Sequence, residues 1–96
     1  MDVLVTYDID TTTVAGERRL VRVAHVCERF GVRVQYSVFE CRLMPARYAR
    51  LIEELRGEID RSLDSIHFYR FDGSLEAART SLGRNDGHRP GQPWIV

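Results

Sequence analysis

Lysine is absent from this 96-residue chain, so all fourteen of its basic residues are arginine. Cysteine occurs only twice, as Cys27 and Cys41 outside any Cys-x-x-Cys pattern, which favours free thiols over a disulfide framework or a zinc site. No apolar run approaches the length of a membrane span, and no basic stretch precedes an apolar run near Met1. We therefore expect a cytoplasmic protein without a signal peptide. Serine-nucleophile motifs and glycine-rich phosphate loops are also missing.

The charges cancel overall but are unevenly distributed along the chain. Fourteen acidic residues balance the fourteen arginines, and the hydrophobic fraction of 44% is enough for one packed domain. Residues 18–50 hold eight arginines and two acids, whereas residues 51–76 hold three arginines and seven acids. Because a guanidinium group can bind two phosphate oxygens at once, the first region is a candidate nucleic-acid surface. A genomic preference for arginine is the alternative explanation for the missing lysines.

The hydrophobic pattern predicts five or six elements. A short apolar run in Met1–Tyr7 indicates a buried strand, and apolar residues at helical spacing predict a helix from about Val14 to Phe30. Val32–Met44 is rich in β-branched and aromatic residues and is too long for one typical strand, so it predicts a bent strand or a tight hairpin. Pro45 suits the first turn of a second helix, and Ser65–Phe71 again has strand composition.

This order of elements predicts an α+β fold of the ferredoxin-like βαββαβ type, an antiparallel sheet with both helices on one face. We assign residues 1–82 to that domain. Residues 83–96 are rich in glycine and proline and predict a linker. They end in Trp94-Ile95-Val96, a short apolar strand that can dock on this domain or on the sheet of a partner subunit.

The strongest site candidate is Tyr7-Asp8-Ile9-Asp10, at the carboxyl end of the first predicted strand. A carboxylate fixed at a strand end can hold magnesium, which prefers few protein oxygens. Alternatively, Asp8 or Asp10 caps the turn formed with the threonines that follow. Because one chain offers too few ligands, the metal hypothesis also predicts a homodimer that brings two copies of Asp8 together.

Two further groups of polar residues could contact nucleic acid. The first is a cationic stripe on one side of the first helix, formed by Arg18, Arg22, His25 and Arg29. The second is a polar row that strict alternation would place on one strand face, formed by Arg33, Gln35 and Ser37. A solvated helix face and a solvated sheet face are the structural alternatives.

Four stretches of the sequence, taken together, are similar to one known family. They are Tyr7-Asp8-Ile9, the arginine-rich Arg-Arg-Leu-Val-Arg-Val at 18–23, Gly-Val-Arg-Val-Gln-Tyr-Ser-Val-Phe-Glu-Cys-Arg-Leu at 31–43, and Asp-Ser-Ile-His-Phe-Tyr-Arg-Phe at 64–71. These stretches resemble CRISPR-associated protein 2, the small subunit of bacterial and archaeal spacer acquisition. The resemblance covers nearly the whole chain and is weakest over 72–93.

The resemblance implies a homodimer whose C-terminal strands cross to the partner's sheet and whose two Asp8 carboxylates share Mg²⁺. It implies an endonuclease acting on single-stranded RNA or double-stranded DNA, and also the central dimer of the integrase complex with CRISPR-associated protein 1. By motif, Asp8 is the metal ligand with Tyr7 beside it as a catalytic residue, whereas Asp10 matches only loosely. The nucleic-acid positions around the site are Arg18, Arg19, Arg22, Arg33, Ser37 and Phe39.

Three functions remain open at this point. A spacer-acquisition scaffold would keep its function in Asp8→Ala, whereas a stand-alone, toxin-like metal-dependent ribonuclease would lose it. A non-catalytic ferredoxin-like RNA-binding module is disfavoured, because the RNA-recognition signature has no counterpart around 34–39.

Overall fold

The computed structural model describes residues 1–83. In chain order the elements are β1 (Asp2–Asp8), α1 (Val14–Phe30), β2 (Gly31–Gln35), β3 (Val38–Arg42), α2 (Pro45–Arg56), β4 (Ser65–Phe71) and the short α3 (Leu75–Ala78). The strands form one antiparallel sheet in the order β2-β3-β1-β4. The predicted α+β, ferredoxin-like fold is confirmed. The predicted C-terminal strand at 94–96 lies outside the described residues.

Local sequence signals explain where α1 begins and ends. The Thr13 hydroxyl accepts a hydrogen bond from the Gly16 backbone N–H at 3.1 Å, which satisfies a free donor of the first turn. At the other end, the Gly31 N–H donates to the Cys27 carbonyl. A side chain at Gly31 would collide with Glu40 on β3, 2.4 Å away, so glycine lets the chain turn directly from helix into strand.

Helices α1 and α2 cover the same face of the sheet, which we call the covered face. Side chains alternate along β1, so Val3, Val5 and Tyr7 point to this face and are buried. They pack with residues of both helices in a single core that includes Val23 and Leu51. The opposite side, which we call the open face, carries Leu4, Thr6 and Asp8, with the residues paired to them on β3 and β4.

The predicted polar row on one strand face is wrong, because the hairpin between β2 and β3 contains a bulge. Arg33 pairs with Phe39 and Gln35 pairs with Val38. Phe39 and Val38 are adjacent on β3 and point to opposite faces, so Arg33 and Gln35 do as well. Ser37 belongs to the turn rather than to a strand.

Residues 1–83 include no helix with the length and apolar character required to cross a bilayer.

Candidate metal centre and nucleic-acid surface

Asp8 is the last residue of β1 and lies at the end of the open face. Its neighbour across the sheet is Ser65 of β4, and the next pair on this face is Thr6 with His67. Asp8 is exposed, and its carboxylate makes no hydrogen bond or ion pair with any residue of 1–83. It is therefore free to bind a cation or a partner.

Tyr7 points away from Asp8, into the covered face. Its ring is only 5% exposed and stacks on Phe39 with 6.2 Å between ring centroids. Its hydroxyl donates to the Tyr36 carbonyl at 3.4 Å, and burial raises the pKa of Tyr7 despite the opposing charge of nearby Arg33. Consecutive strand residues point to opposite faces, so Tyr7 lies in the core and Asp8 lies on the open face, and a catalytic role for Tyr7 stays a prediction.

Asp10 caps the turn that follows β1, as the alternative hypothesis proposed. One of its carboxyl oxygens accepts hydrogen bonds from the Thr12 hydroxyl at 2.6 Å and from the Thr12 N–H at 2.9 Å. These bonds lower the pKa of Asp10. The turn already uses this oxygen, so Asp8 is the better placed of the two carboxylates for an ion.

Magnesium suits Asp8, since Mg²⁺ is often held by one or two carboxylates and keeps several waters. The described residues contain no group of three or more histidine, cysteine, aspartate or glutamate side chains that could form a closed site. Residues 1–83 of a single chain therefore supply one free carboxylate at this position. A second copy that approached the open face would add protein ligands.

Arg19 lies in a buried ion pair rather than on the nucleic-acid surface that the sequence predicts. Its side chain is 11% exposed, and its Nε donates at 2.7 Å to Asp64, whose side chain is 0% exposed. A phosphate could reach Arg19 only if this buried pair broke, so a direct nucleic-acid contact by Arg19 does not fit the structure. The adjacent Arg18 is exposed and has no ion-pair partner within the described chain.

The rest of the cationic stripe is partly neutralised by α2 and the loop after it. Arg22 donates to Glu58 at 2.8 Å, and Arg29 pairs with Glu54. The acidic region 51–76 thus packs beside the basic helix and reduces its net charge. Of the four stripe residues, Arg18 and His25 are the ones without such an acidic partner among the described residues.

Arg33 and Phe39 occupy the covered side of the β2–β3 edge. The Arg33 guanidinium lies over the Phe39 ring, 5.1 Å from its centroid, and its Nε is buried with no hydrogen-bond partner in residues 1–83. Phe39 is 0% exposed, so it supports the site from the core and has no surface for a nucleic-acid contact. Ser37 is half-buried in the turn, where its carbonyl accepts from the Tyr7 N–H at 3.1 Å.

Two side chains of this region, His67 and Asp64, were not among the predicted site residues. His67 is exposed on the open face, and its ring lies 6.4 Å from that of Tyr69. Asp64 lies just before β4 and accepts a hydrogen bond from Arg19. The strand alternation of Ser65–Phe71 could have placed His67 on one face with Ser65, but no local pattern pairs Asp64 with an arginine 45 residues earlier.

Comparisons with known proteins all point to one family. The family model described as CRISPR associated protein Cas2 matches residues 1–76. The CRISPR-associated endoribonuclease Cas2 of Chlorobaculum tepidum is 54% identical over 69 residues, which is 72% of each chain. A protein of the same name from Nitratidesulfovibrio vulgaris is 38% identical over 96 residues, all of this chain and 94% of that one.

A solved structure shows the same likeness in three dimensions. The crystal structure of Cas2 from Streptococcus pyogenes superposes with a TM-score of 0.78 at 44% identity, covering 86% of this chain and 100% of that one. The family-model match over residues 1–76 includes the strand end that carries Asp8 as well as α1 and α2. The chain therefore belongs to the CRISPR-associated protein Cas2 family.

Proposed function

We propose that this protein acts in CRISPR spacer acquisition as a homodimer that binds double-stranded DNA in a complex with CRISPR-associated protein 1. We further propose that Asp8 gives it a magnesium-dependent endonuclease activity on single-stranded RNA or double-stranded DNA. The observation that carries the catalytic part is the exposed Asp8 carboxylate at the end of β1, free of partners within 1–83. The relatives above are named endoribonucleases, which supports RNA as a substrate.

The exposed apolar surface supports the homodimer. Tyr69 on the open face is 51% exposed, and Leu4 and Val38 of the same face are half-buried. A small domain gains stability by covering such residues with a second copy. A two-fold axis near the end of β1 would also bring the two Asp8 side chains together, which is what a metal site with so few ligands per chain requires.

Asp8 and Arg18 have different roles in the proposed site. Asp8 would hold Mg²⁺ through its carboxylate, and the rigid pairing of β1 with β4 fixes where that carboxylate can point. When bound, the ion stabilises charge on the scissile phosphate and lowers the pKa of a water molecule. Arg18 lies exposed at the start of α1, where it can hold the phosphate backbone.

The scaffold and the nuclease place different demands on these residues. DNA binding by a scaffold requires exposed arginines and weakens as salt rises, because bound counterions are released. Cleavage also requires the metal. A stand-alone, toxin-like ribonuclease would need Asp8 for all of its function, whereas an RNA-binding module would stack bases on sheet aromatics such as Tyr69.

The deciding experiment compares wild type with Asp8→Ala and with the control Asp72→Ala. Asp72 is an exposed acid that follows the last residue of β4, at the end of the strand far from Asp8 and Ser65. Cleavage of labelled single-stranded RNA and double-stranded DNA is measured with Mg²⁺ and with a chelator. Spacer integration is measured in parallel with the integrase partner. We expect Asp8→Ala to abolish metal-dependent cleavage and to leave the dimer intact, while Asp72→Ala behaves as wild type.

The two assays together separate the functions. Normal integration by a cleavage-dead Asp8→Ala protein would support the scaffold role and make the nuclease a separate activity. Equal cleavage by wild type and Asp8→Ala would contradict the proposed metal site. Absence of integration by wild type with its partner would contradict the role in acquisition.

A further inference from the structure

Asp64 is the most heavily hydrogen-bonded carboxylate near the site, and it is fully buried. Its Oδ2 accepts from Arg19 Nε at 2.7 Å and from the Asp60 N–H at 2.9 Å. Its Oδ1 accepts from the Asp10 N–H at 3.0 Å and from Arg19 Nη2 at 3.3 Å. We call this set, Asp64 with Arg19 and the N–H groups of Asp10 and Asp60, the Asp64 clasp.

The clasp joins two loops that repeat the same local structure. Asp10 begins one turn by accepting hydrogen bonds from the N–H and hydroxyl of Thr12. Asp60 begins the other in the same way, with the N–H and hydroxyl of Ser62 at 3.0 and 2.6 Å. Each turn presents the N–H of its aspartate to Asp64, so one carboxylate fixes both loops.

The clasp also touches both flanks of Asp8. Along the chain, the N–H that donates to Asp64 belongs to Asp10, two residues after Asp8. Across the sheet, Asp64 directly precedes Ser65, the residue paired with Asp8. The backbone on either side of Asp8 is therefore held by one buried carboxylate.

We propose that Asp64, held in place by its ion pair with Arg19, is a positioning residue for the Asp8 carboxylate. This inference rests on the proposed metal site, and it assigns Arg19 a role other than contact with nucleic acid. The residues that orient a metal ligand commonly change metal affinity by about 10–100-fold when they are replaced. Phosphate contacts lie elsewhere, at exposed residues such as Arg18. Loss of the clasp should therefore lower metal affinity and kcat and leave KM for RNA nearly unchanged.

Asp64→Asn tests this directly, because it keeps the shape of the side chain and presents an amide to donors that need a carboxylate. Asp60→Asn is the matched control. It removes the same charge from the same cluster, keeps the N–H that donates to Asp64, and keeps an amide oxygen that can accept the hydrogen bonds of its own turn. The variants Arg19→Lys and Arg19→Gln keep the Asp64 carboxylate. Arg19→Lys tests whether a positive charge alone preserves part of the metal affinity.

Mn²⁺ serves as the probe, with binding followed by electron paramagnetic resonance on folded protein and Asp8→Ala defining the signal of the site. We expect Asp64→Asn and Arg19→Gln to weaken Mn²⁺ binding by about tenfold or more. The Mn²⁺ affinity of Arg19→Lys should fall between that of these variants and that of wild type. The Mn²⁺ affinity of Asp60→Asn should stay within about twofold of wild type. Hydrogen exchange of the amides in 8–12 should quicken in Asp64→Asn and not in Asp60→Asn.

Several results would overturn the proposal. Folded Asp64→Asn that binds Mn²⁺ like wild type would reduce the clasp to a purely structural role. A rise in KM for Arg19→Gln at constant kcat and metal affinity would instead identify Arg19 as a substrate contact. If Asp64→Asn fails to fold, the two Arg19 variants decide by the same criteria.

The failure of the proposed metal site is a distinct outcome. In that case wild type itself shows no Mn²⁺ signal that Asp8→Ala removes. Hydrogen exchange then decides whether the clasp holds the end of β1, and unchanged exchange in Asp64→Asn would overturn the positioning role as well.

Discussion

The two faces of the sheet differ in what they bury, although their residues alternate along the same strands. On the covered face, Val3 and Val5 are 0% exposed and pack under both helices. On the open face, Leu4 and Thr6 are half-buried and Asp8 is exposed. The core is complete on one face, and the free carboxylate lies on the other.

This separation allows folding and chemistry to be changed independently. Substitutions on the covered face remove contacts that no solvent can replace, so they alter stability. Substitutions of Asp8, at the exposed end of the open face, remove a group that makes no hydrogen bond or ion pair within residues 1–83, so they alter binding or catalysis. Tyr7 and Asp8 show the contrast most closely, since they are neighbours in sequence and lie on opposite faces.

Phe39→Ala should produce the largest loss of stability. The ring is fully buried, stacks on Tyr7 and lies under the Arg33 guanidinium. Truncating a buried phenylalanine typically costs about 3–5 kcal/mol. The control on the open face is Tyr69→Ala, which should cost less than about 1 kcal/mol in the isolated protein. Urea unfolding measures both, and equal losses would contradict the division between the faces.

Gly16→Ala should destabilise by about 3 kcal/mol, the upper end for overpacking. A Cβ at this position would lie 1.8 Å from the Asp10 carbonyl oxygen, so α1 would have to move away from the loop beside the candidate site. Gly57→Ala is the matched control, because its nearest contact would be an ordinary 3.6 Å. Its backbone is right-handed helical, so alanine there should stabilise by about 0.4–1 kcal/mol. Thermal unfolding of the pair gives the comparison.

Much of the covered face could be predicted from the sequence. Helical spacing of the apolar residues predicts α1, and the predicted bounds of 14–30 agree with the structure. Ser65–Phe71 was also predicted with the bounds that the structure shows. These signals are local, and each depends on the period of a single element.

The errors arose where contacts join distant segments or where the period breaks. The bulge in β2 carries no proline or glycine between Arg33 and Gln35, so strict alternation gave the wrong faces. Arg19 looks like any other basic residue of the stripe until the fold brings Asp64 to it. The opposite orientation of Tyr7 and Asp8 was available from alternation alone, but their common motif suggested a common role.

Acid should loosen the part of the open face that α3 covers. Asp2 accepts from the Leu75 N–H at 2.8 Å and pairs with Arg42. Burial would raise the pKa of Asp2, but these partners outweigh it and the pKa lies below its usual value. A lowered folded pKa means that the stabilisation is present above the unfolded pKa of about 3.9 and is lost as pH falls through the folded value.

Asp2→Asn tests this contact at neutral pH. The amide can still accept from Leu75 but loses the charge, so we expect a loss of about 1–2 kcal/mol. Hydrogen exchange at the Leu75 amide should quicken, and the acid dependence of that exchange should shrink relative to wild type. Unchanged protection in Asp2→Asn would show that α3 is held by the packing of Leu75 alone.

The pair of Arg22 with Glu58 should have the smallest effect on stability. Both side chains are partly exposed, at 52% and 30%, so a double-mutant cycle with alanine should give about 0.2–1 kcal/mol of coupling, less at high salt.

The pair of Arg22 with Glu58 also predicts a difference in nucleic-acid binding. Arg22 must leave Glu58 to contact a phosphate, whereas Arg18 has no such competitor in residues 1–83. Arg18→Ala should therefore weaken duplex binding and its salt dependence more than Arg22→Ala, and Arg22 should gain importance in Glu58→Ala. Equal losses of duplex affinity for Arg18→Ala and Arg22→Ala, with and without Glu58→Ala, would mean that acidic neighbours do not affect nucleic-acid binding by α1.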